Sequence, residues 1–74
     1  MTPIQCKMAR AAVGWGIRDL AQEADIAVST VSRFEAGENI NVSSLMAMAS
    51  ALETAGVEFI PENGGGPGVR LRKE

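Results

Sequence analysis

The sequence has 74 residues, 46% of them hydrophobic and 22% charged, with a formal net charge of −2. This length predicts one small domain that self-association would help to stabilise, and the composition predicts a folded helical chain rather than a disordered one. One cysteine and no histidine exclude an internal disulfide and a zinc site of the usual kind, and without a long apolar run or a leader peptide we expect a cytoplasmic protein.

The first predicted helix begins at Pro3, with Thr2 as its N-cap, and ends near Gly14. Apolar residues recur along it at helical spacing, which predicts a single inward face made of Ile4, Met8, Ala9, Ala12 and Val13. Cys6 is expected to be a buried or half-buried residue of the same helix.

Two short helices follow, separated by a tight break. Gly16 opens the second predicted helix, which covers residues 17–24, and Asp25 breaks it because aspartate tolerates a positive φ. The third runs to about Ala36, and Gly37 suits a left-handed cap. Their spacing predicts a shared apolar core made of Leu20, Ala21, Ala24, Ile26, Val31 and Phe34.

The fourth predicted helix starts near Val42 or Ser43, after a loop at residues 39–41, and Gly56 ends it. Its inward residues repeat at the offsets of an amphipathic helix, which selects Leu45, Met48, Ala49 and Leu52. The four helices predict a domain at residues 1–56.

The tail alternates in the manner of two short strands, at residues 57–60 and 69–72, around a turn-rich stretch at 61–68. An isolated hairpin is only marginally stable in water, so residues 57–74 are predicted to form a dimerisation arm. Whether its strands pair within one chain, between chains or both stays open. The predicted contacts are Val57, Phe59, Ile60, Val69 and Leu71.

The second helix and the turn after it read LAQEADI at residues 20–26, and the third helix and its end read STVSRFEAG at residues 29–37. These two stretches resemble the helix-turn-helix of the phage repressor and Cro (XRE) family. The resemblance covers roughly residues 4–56. It implies a mainly α, lambda-repressor-like domain of four or five helices, followed here by the strand-forming arm, with the third helix lying in a DNA major groove.

The resemblance also implies a role for individual residues. Val28, Ser29 and Arg33 would face base edges, and the Arg33 guanidinium suits guanine O6 and N7. Arg10 and Glu35 would form a structural ion pair. Where the family commonly has polar or capping residues, this chain has Gly16, Ile17 and Ala27. Contacts to DNA phosphates are implied for Arg18, Thr30 and Ser32, and at the start of the fourth helix for Asn41, Ser43 and Ser44.

These residues predict a homodimeric repressor or autoregulator of bacterial or mobile-element origin that binds double-stranded DNA at a pseudo-palindrome and associates with the nucleoid. We expect no catalysis, cofactor, metal, small-molecule ligand or membrane contact. The acidic balance favours an alternative, a protein-interaction module such as an antitoxin-like partner of a second regulatory protein. A DNA-bending excision factor is a further alternative. The placement of charge favours DNA binding over these alternatives. Four cationic residues precede position 34, namely Lys7, Arg10, Arg18 and Arg33.

Overall fold

The computed structural model describes residues 1–72, which form four helices followed by a two-stranded antiparallel hairpin. This mainly α architecture with a C-terminal hairpin confirms the predicted fold class. The longest helix has 13 residues, and within residues 1–72 no helix is long and apolar enough to cross a membrane. The elements are α1 (Pro3–Val13), α2 (Ile17–Ala24), α3 (Val28–Glu35), α4 (Val42–Thr54), β1 (Val57–Ile60) and β2 (Gly68–Leu71).

The start of α1 follows directly from its sequence. The Thr2 hydroxyl accepts the N–H of Gln5 at 3.2 Å, and the Gln5 side-chain oxygen accepts the N–H of Thr2 at 2.8 Å. This reciprocal capping box satisfies two backbone donors that a helix start otherwise leaves without partners. Pro3 occupies the first turn, where its missing N–H costs nothing.

The chain turns between α2 and α3 at Asp25, whose φ of 56° is left-handed. The Asp25 N–H donates to the carbonyl of Gln22, and the N–H of Ile26 donates to the carbonyl of Ala21 at 3.0 Å. This pair of bonds ends a helix in a reversal and sends the chain steeply into α3. The same bond pattern, with a glycine in the left-handed position, ends α1 and α3.

The core lies between the four helices and the first strand. Its buried residues are small or of medium size apart from one phenylalanine, which suits the close approach of short helices. Burial of apolar side chains in one cluster is what holds α2 and α3 at a fixed angle. The buried apolar residues are Cys6, Ala9, Leu20, Ala21, Val31, Phe34, Met48, Leu52 and Val57.

The inward face of α1 differs from the predicted one. Ile4 is 53% exposed and Ala12 is exposed, whereas Gln5 is buried; Cys6 and Ala9 are buried as predicted. The predicted face was wrong at Ile4 and Ala12, because apolar spacing alone does not indicate that the polar side chain of Gln5 is buried or that Gln5 and Cys6 have polar partners. Those partners lie far along the chain, and they rotate the helix towards the hairpin and α3.

The hairpin is docked on its own chain. Its two strands pair with each other, Val57 opposite Leu71 and Phe59 opposite Val69. Val57 is 1% exposed and belongs to the core, so its predicted role as a dimer contact is corrected. Phe59 and Val69 are half-buried against the same core, which leaves their side chains little surface to offer. The last two positions of the predicted arm, Lys73 and Glu74, lie outside the described residues.

Gln5 joins α1 to the turn end of this hairpin. Its side-chain Nε2 donates to the carbonyl of Ile60 at 3.1 Å and to the carbonyl of Gly68 at 3.0 Å. These two residues face each other across the strands. One buried amide therefore holds both strands against the first helix, and β2 begins at Gly68, one residue earlier than predicted.

Candidate nucleic-acid interface

The orientation of α3 is fixed by its buried side. Val31 is fully buried, and Phe34 and Glu35 are each 7% exposed. Residues three and four apart share one face of a helix, so these three residues form one stripe. The opposite face therefore points away from the protein.

Three exposed residues form the centre of that outward face, namely Ser29, Ser32 and Arg33. Val28 lies at its edge and is 41% exposed. Thr30 lies at the other edge and is half-buried. Of the residues predicted to face bases, Ser29 and Arg33 are central and Val28 is peripheral. Ser32, predicted to contact phosphate, lies next to Arg33 on the same face.

Asn41 is the N-cap of α4. Its side-chain oxygen accepts the N–H of Ser44 at 2.8 Å and the hydroxyl of Ser43 at 2.8 Å. The oxygen of Asn41 and the hydroxyl proton of Ser43 are thus used in the cap. Because the Ser44 N–H is also used in the cap, this helix start offers an anion the remaining first-turn backbone N–H groups and the positive end of the helix dipole.

The start of α2 is different because a carboxylate occupies it. Gly16 is the N-cap and has no side chain, and its N–H donates to the Oδ2 atom of Asp19 at 2.7 Å. This negative charge stabilises the helix start and disfavours a phosphate there. The signal was an acidic residue three positions after the cap, which the sequence reasoning missed. Arg18, predicted to contact phosphate, is exposed in the same turn.

A polar cluster beneath α3 links it to α1. Arg10 donates from Nε to Oε2 of Glu35 at 2.7 Å and from Nη2 to Oε1 at 2.8 Å. The Cys6 thiol donates to Oε2 of Glu35 at 3.1 Å. Arg10 also donates from Nη1 to the carbonyl of Trp15 at 3.1 Å, so one guanidinium binds both α3 and the α1–α2 connection.

Contacts within this cluster shift the pKa values of Glu35, Cys6 and Arg10. Burial alone would raise the pKa of Glu35, but hydrogen bonds from Arg10 and Cys6 and the charge of Arg10 outweigh it, and the pKa is lowered. Burial, and then the hydrogen bond to Glu35, raises the pKa of the Cys6 thiol to about 12. The hydrogen bond to Glu35 raises the pKa of Arg10. At neutral pH the cluster is therefore a charged pair with a neutral thiol.

Comparison with known families agrees with this geometry. A family model described as Helix-turn-helix matches residues 7–59. The matched segment contains α2, α3 and α4 in full, together with most of α1 and β1. A search among curated proteins finds no match to the chain.

Proposed function

The chain belongs to the helix-turn-helix family of phage repressor and Cro type, a family of DNA-binding regulators, and from this premise we propose that it is a homodimeric transcriptional repressor or autoregulator. Each copy would read one half of a pseudo-palindromic operator. Repression would follow from occupying a promoter.

The observation that carries the proposal is the outward face of α3. Arg33 is exposed at its centre, while Val31 and Phe34 fix the opposite side in the core. A guanidinium held on a rigid helix suits a guanine edge in the major groove, where it bonds O6 and N7 together. Ser29, one turn earlier, would accept or donate to a neighbouring base, and Val28 would pack on a thymine methyl.

Phosphate contacts on either side would set the helix in register. The exposed Arg18 on α2 supplies one cation. The first turn of α4 supplies backbone N–H groups near Asn41, Ser43 and Ser44. Thr30 and Ser32 add hydroxyls at the recognition helix itself. Such contacts position a protein on DNA without specifying its sequence.

One copy has few groups with which to contact DNA, and a dimer would make twice as many contacts. Among the five hairpin residues predicted to contact a second copy, Leu71 is 52% exposed and Ile60 is half-buried. Ile60, unlike Phe59 and Val69, is not among the residues packed against the core, so Leu71 and Ile60 are the hairpin's proposed dimer contacts.

The test is selection of preferred sites from random duplex DNA at about 0.15 M salt, a concentration at which non-specific binding is weak. We expect the wild type to enrich a two-fold-symmetric motif. Arg33→Ala should remove one guanine preference from each half-site. Arg18→Ala is the matched control, because losing a phosphate contact should weaken binding to all sequences without changing the motif.

A folded wild-type protein that enriches no motif would overturn the proposal and favour a protein-interaction module. The same motif and affinity for Arg33→Ala would overturn the assignment of Arg33 alone. Strong bending of the selected DNA would favour the architectural alternative, because bending is the defining property of such factors.

A further inference from the structure

We propose that the start of α3 reads the C5 methyl group of a pyrimidine, so that methylation of a cytosine in the operator regulates binding. Ala27 and Val28 make this contact, and we call them the methyl-contact pair. The inference deepens the proposed function and rests on it. Its ligand is the methyl group that thymine and 5-methylcytosine both carry at C5 in the major groove.

The methyl-contact pair is apolar and faces solvent. Val28 is 41% exposed and Ala27 is also exposed. Ile26, immediately before them, is half-buried against the core. The apolar surface of residues 27 and 28 is therefore left over after the core is built, and neither side chain can donate or accept a hydrogen bond.

The cap of α3 gives up stability to present this surface. Ala27 is the N-cap, and its side chain makes no capping hydrogen bond. In α1 and α4 the side chains of Thr2 and Asn41 each accept a backbone N–H at the same position. Alanine is a poor N-cap because its methyl group accepts nothing. Departures of this kind from local preference are expected at functional positions.

The methyl-contact pair continues the candidate nucleic-acid interface. Ser29 and Arg33 lie at the centre of the outward face of α3, and Val28 lies at its edge. In helix-turn-helix proteins the N-terminal residues of the recognition helix are the ones that contact base edges. In the proposed complex Ala27 and Val28 therefore meet bases and not the sugar-phosphate backbone.

The chemistry of the major groove selects a methyl group as the ligand. The oxygen and nitrogen atoms that base pairs expose there are hydrogen-bond donors or acceptors, and an alkyl side chain that covers one removes water without replacing its bond. A methyl group instead gains affinity by burial, about fourfold for each methyl. Cytosine and uracil carry only hydrogen at C5. Affinity should therefore follow the methyl group, whichever of the two pyrimidines carries it.

A methyl scan of the operator selected by the wild type tests this directly. Each thymine of the half-site is replaced in turn by uracil, which removes the methyl group and changes nothing else. We expect a sensitive position at which affinity falls about fourfold when one half-site is changed and about fifteenfold when both are. With a C·G pair at that position, 5-methylcytosine should bind about fourfold more tightly per half-site than cytosine.

Variants assign the effect to the methyl-contact pair. Val28→Ala should reduce the effect of uracil at the sensitive position from about fourfold to less than about twofold per half-site. Val42→Ala is the matched control, because it makes the same change at the first position of α4, where Val42 is 69% exposed. It should keep the fourfold effect. The readout is a ratio of two affinities of one variant, so a general loss of folding or of phosphate contacts does not change it.

The outcomes separate this inference from the proposed function. A wild type that selects no motif overturns both. A selected motif whose affinity is the same with thymine and with uracil at every position overturns the methyl contact and leaves the operator-reading function standing. An undiminished effect of uracil in Val28→Ala also overturns the inference, because another side chain then contacts the methyl group. A fourfold effect that Val28→Ala loses and Val42→Ala keeps supports it.

Discussion

Arg10 on α1 and Glu35 on α3 form a two-point ion pair, with Nε 2.7 Å from Oε2 and Nη2 2.8 Å from Oε1. Their side chains are 18% and 5% exposed, so the pair is largely removed from water. Glu35 is two residues from Arg33. The direction in which the outward face of α3 points is therefore coupled to a salt bridge on the buried side of the helix.

Removing one partner of this pair should threaten folding itself. Arg10→Met leaves the Glu35 carboxylate buried without its cation, which costs about 3–5 kcal/mol of the free energy of unfolding. A chain of this size has about 4–11 kcal/mol in total, so a large part would be lost. Arg70→Met is the matched control, because the Arg70–Glu58 pair is exposed and should contribute about 0–1 kcal/mol. Urea unfolding of both variants measures the contrast, and equal losses would contradict the role given to burial.

Lowering the pH should reduce the free energy of unfolding of the domain, because Glu35 becomes protonated. Its pKa is lower in the folded chain than the ordinary value of 4.5, so between the two values the unfolded chain binds more protons. The stability that Glu35 contributes is thus complete above about pH 4.5 and is lost as the pH falls through the lowered pKa. Glu35→Gln should be less stable than wild type at neutral pH, and the gap should narrow on acidification. A gap that stays constant from pH 7 to pH 3 would show that Glu35 does not titrate in this way.

Raising the pH should also reduce the free energy of unfolding, because the Cys6 thiol ionises. Its pKa is raised from 9.0 to about 12, so the neutral thiol stabilises the fold fully below about pH 9 and this contribution is lost as the pH rises towards 12. Cys6→Ser keeps a donor for Glu35 but does not titrate in this range. Unfolding free energies measured from pH 8 to pH 11 should fall more steeply for wild type than for the variant, and parallel curves would contradict the assignment.

The helices could be predicted because their signals are local. Thr2, Pro3 and Gly37 act through the conformation of the chain beside them, and apolar spacing adds the period of the helix. The burial of Gln5 and of Val57 could not be predicted from the residues beside them in the sequence. Both depend on how the hairpin folds back on α1, which brings together residues more than 50 positions apart.

The residues of the candidate site also include some that the sequence predicts and some that it missed. The exposure of Ser29 and Arg33 follows from the helical period once Val31 and Phe34 are assigned to the core. The cap at Asp19 had a local signal that was overlooked. The exposure of Val42 and Met46 follows from the same period, because the predicted inward residues Met48 and Leu52 lie on the other side of α4.

The hairpin should loosen when the donor of Gln5 is removed. Gln5→Glu keeps the oxygen that accepts the Thr2 N–H but places a carboxylate against the carbonyls of Ile60 and Gly68. Losing two hydrogen bonds and leaving buried acceptors unpaired costs about 1–3 kcal/mol. Amide hydrogen exchange should speed up in β1 and β2 before it does in α2 and α3. Gln22→Glu, an exposed change of the same chemistry, is the control and should leave the hairpin's exchange unaltered.

DNA binding should be weakly dependent on salt for a protein of this class. Within residues 1–72, Arg10 is held by Glu35, Arg70 is paired with Glu58, and Arg72 donates to the carbonyl of Glu53. Lys7, Arg18 and Arg33 are the other exposed cations of this part of the chain. Of these, Arg33 is assigned to a guanine edge, and the α4 start contributes neutral N–H groups. If Lys7 and Arg18 of two copies neutralise about four phosphates, the plot of log K against log salt has a slope of about −3.6.

Arg18→Gln tests the count, because a dimer that loses two phosphate contacts should show a slope smaller in magnitude by about 1.8. The selected motif should stay the same, since phosphate contacts do not specify sequence. A wild-type slope near −8 would mean that other cations reach the DNA and that the neutral α4 start is not the main second contact. An unchanged slope for Arg18→Gln would remove Arg18 from the interface, and it would leave the backbone groups beside Asn41 as the principal phosphate contact of each copy.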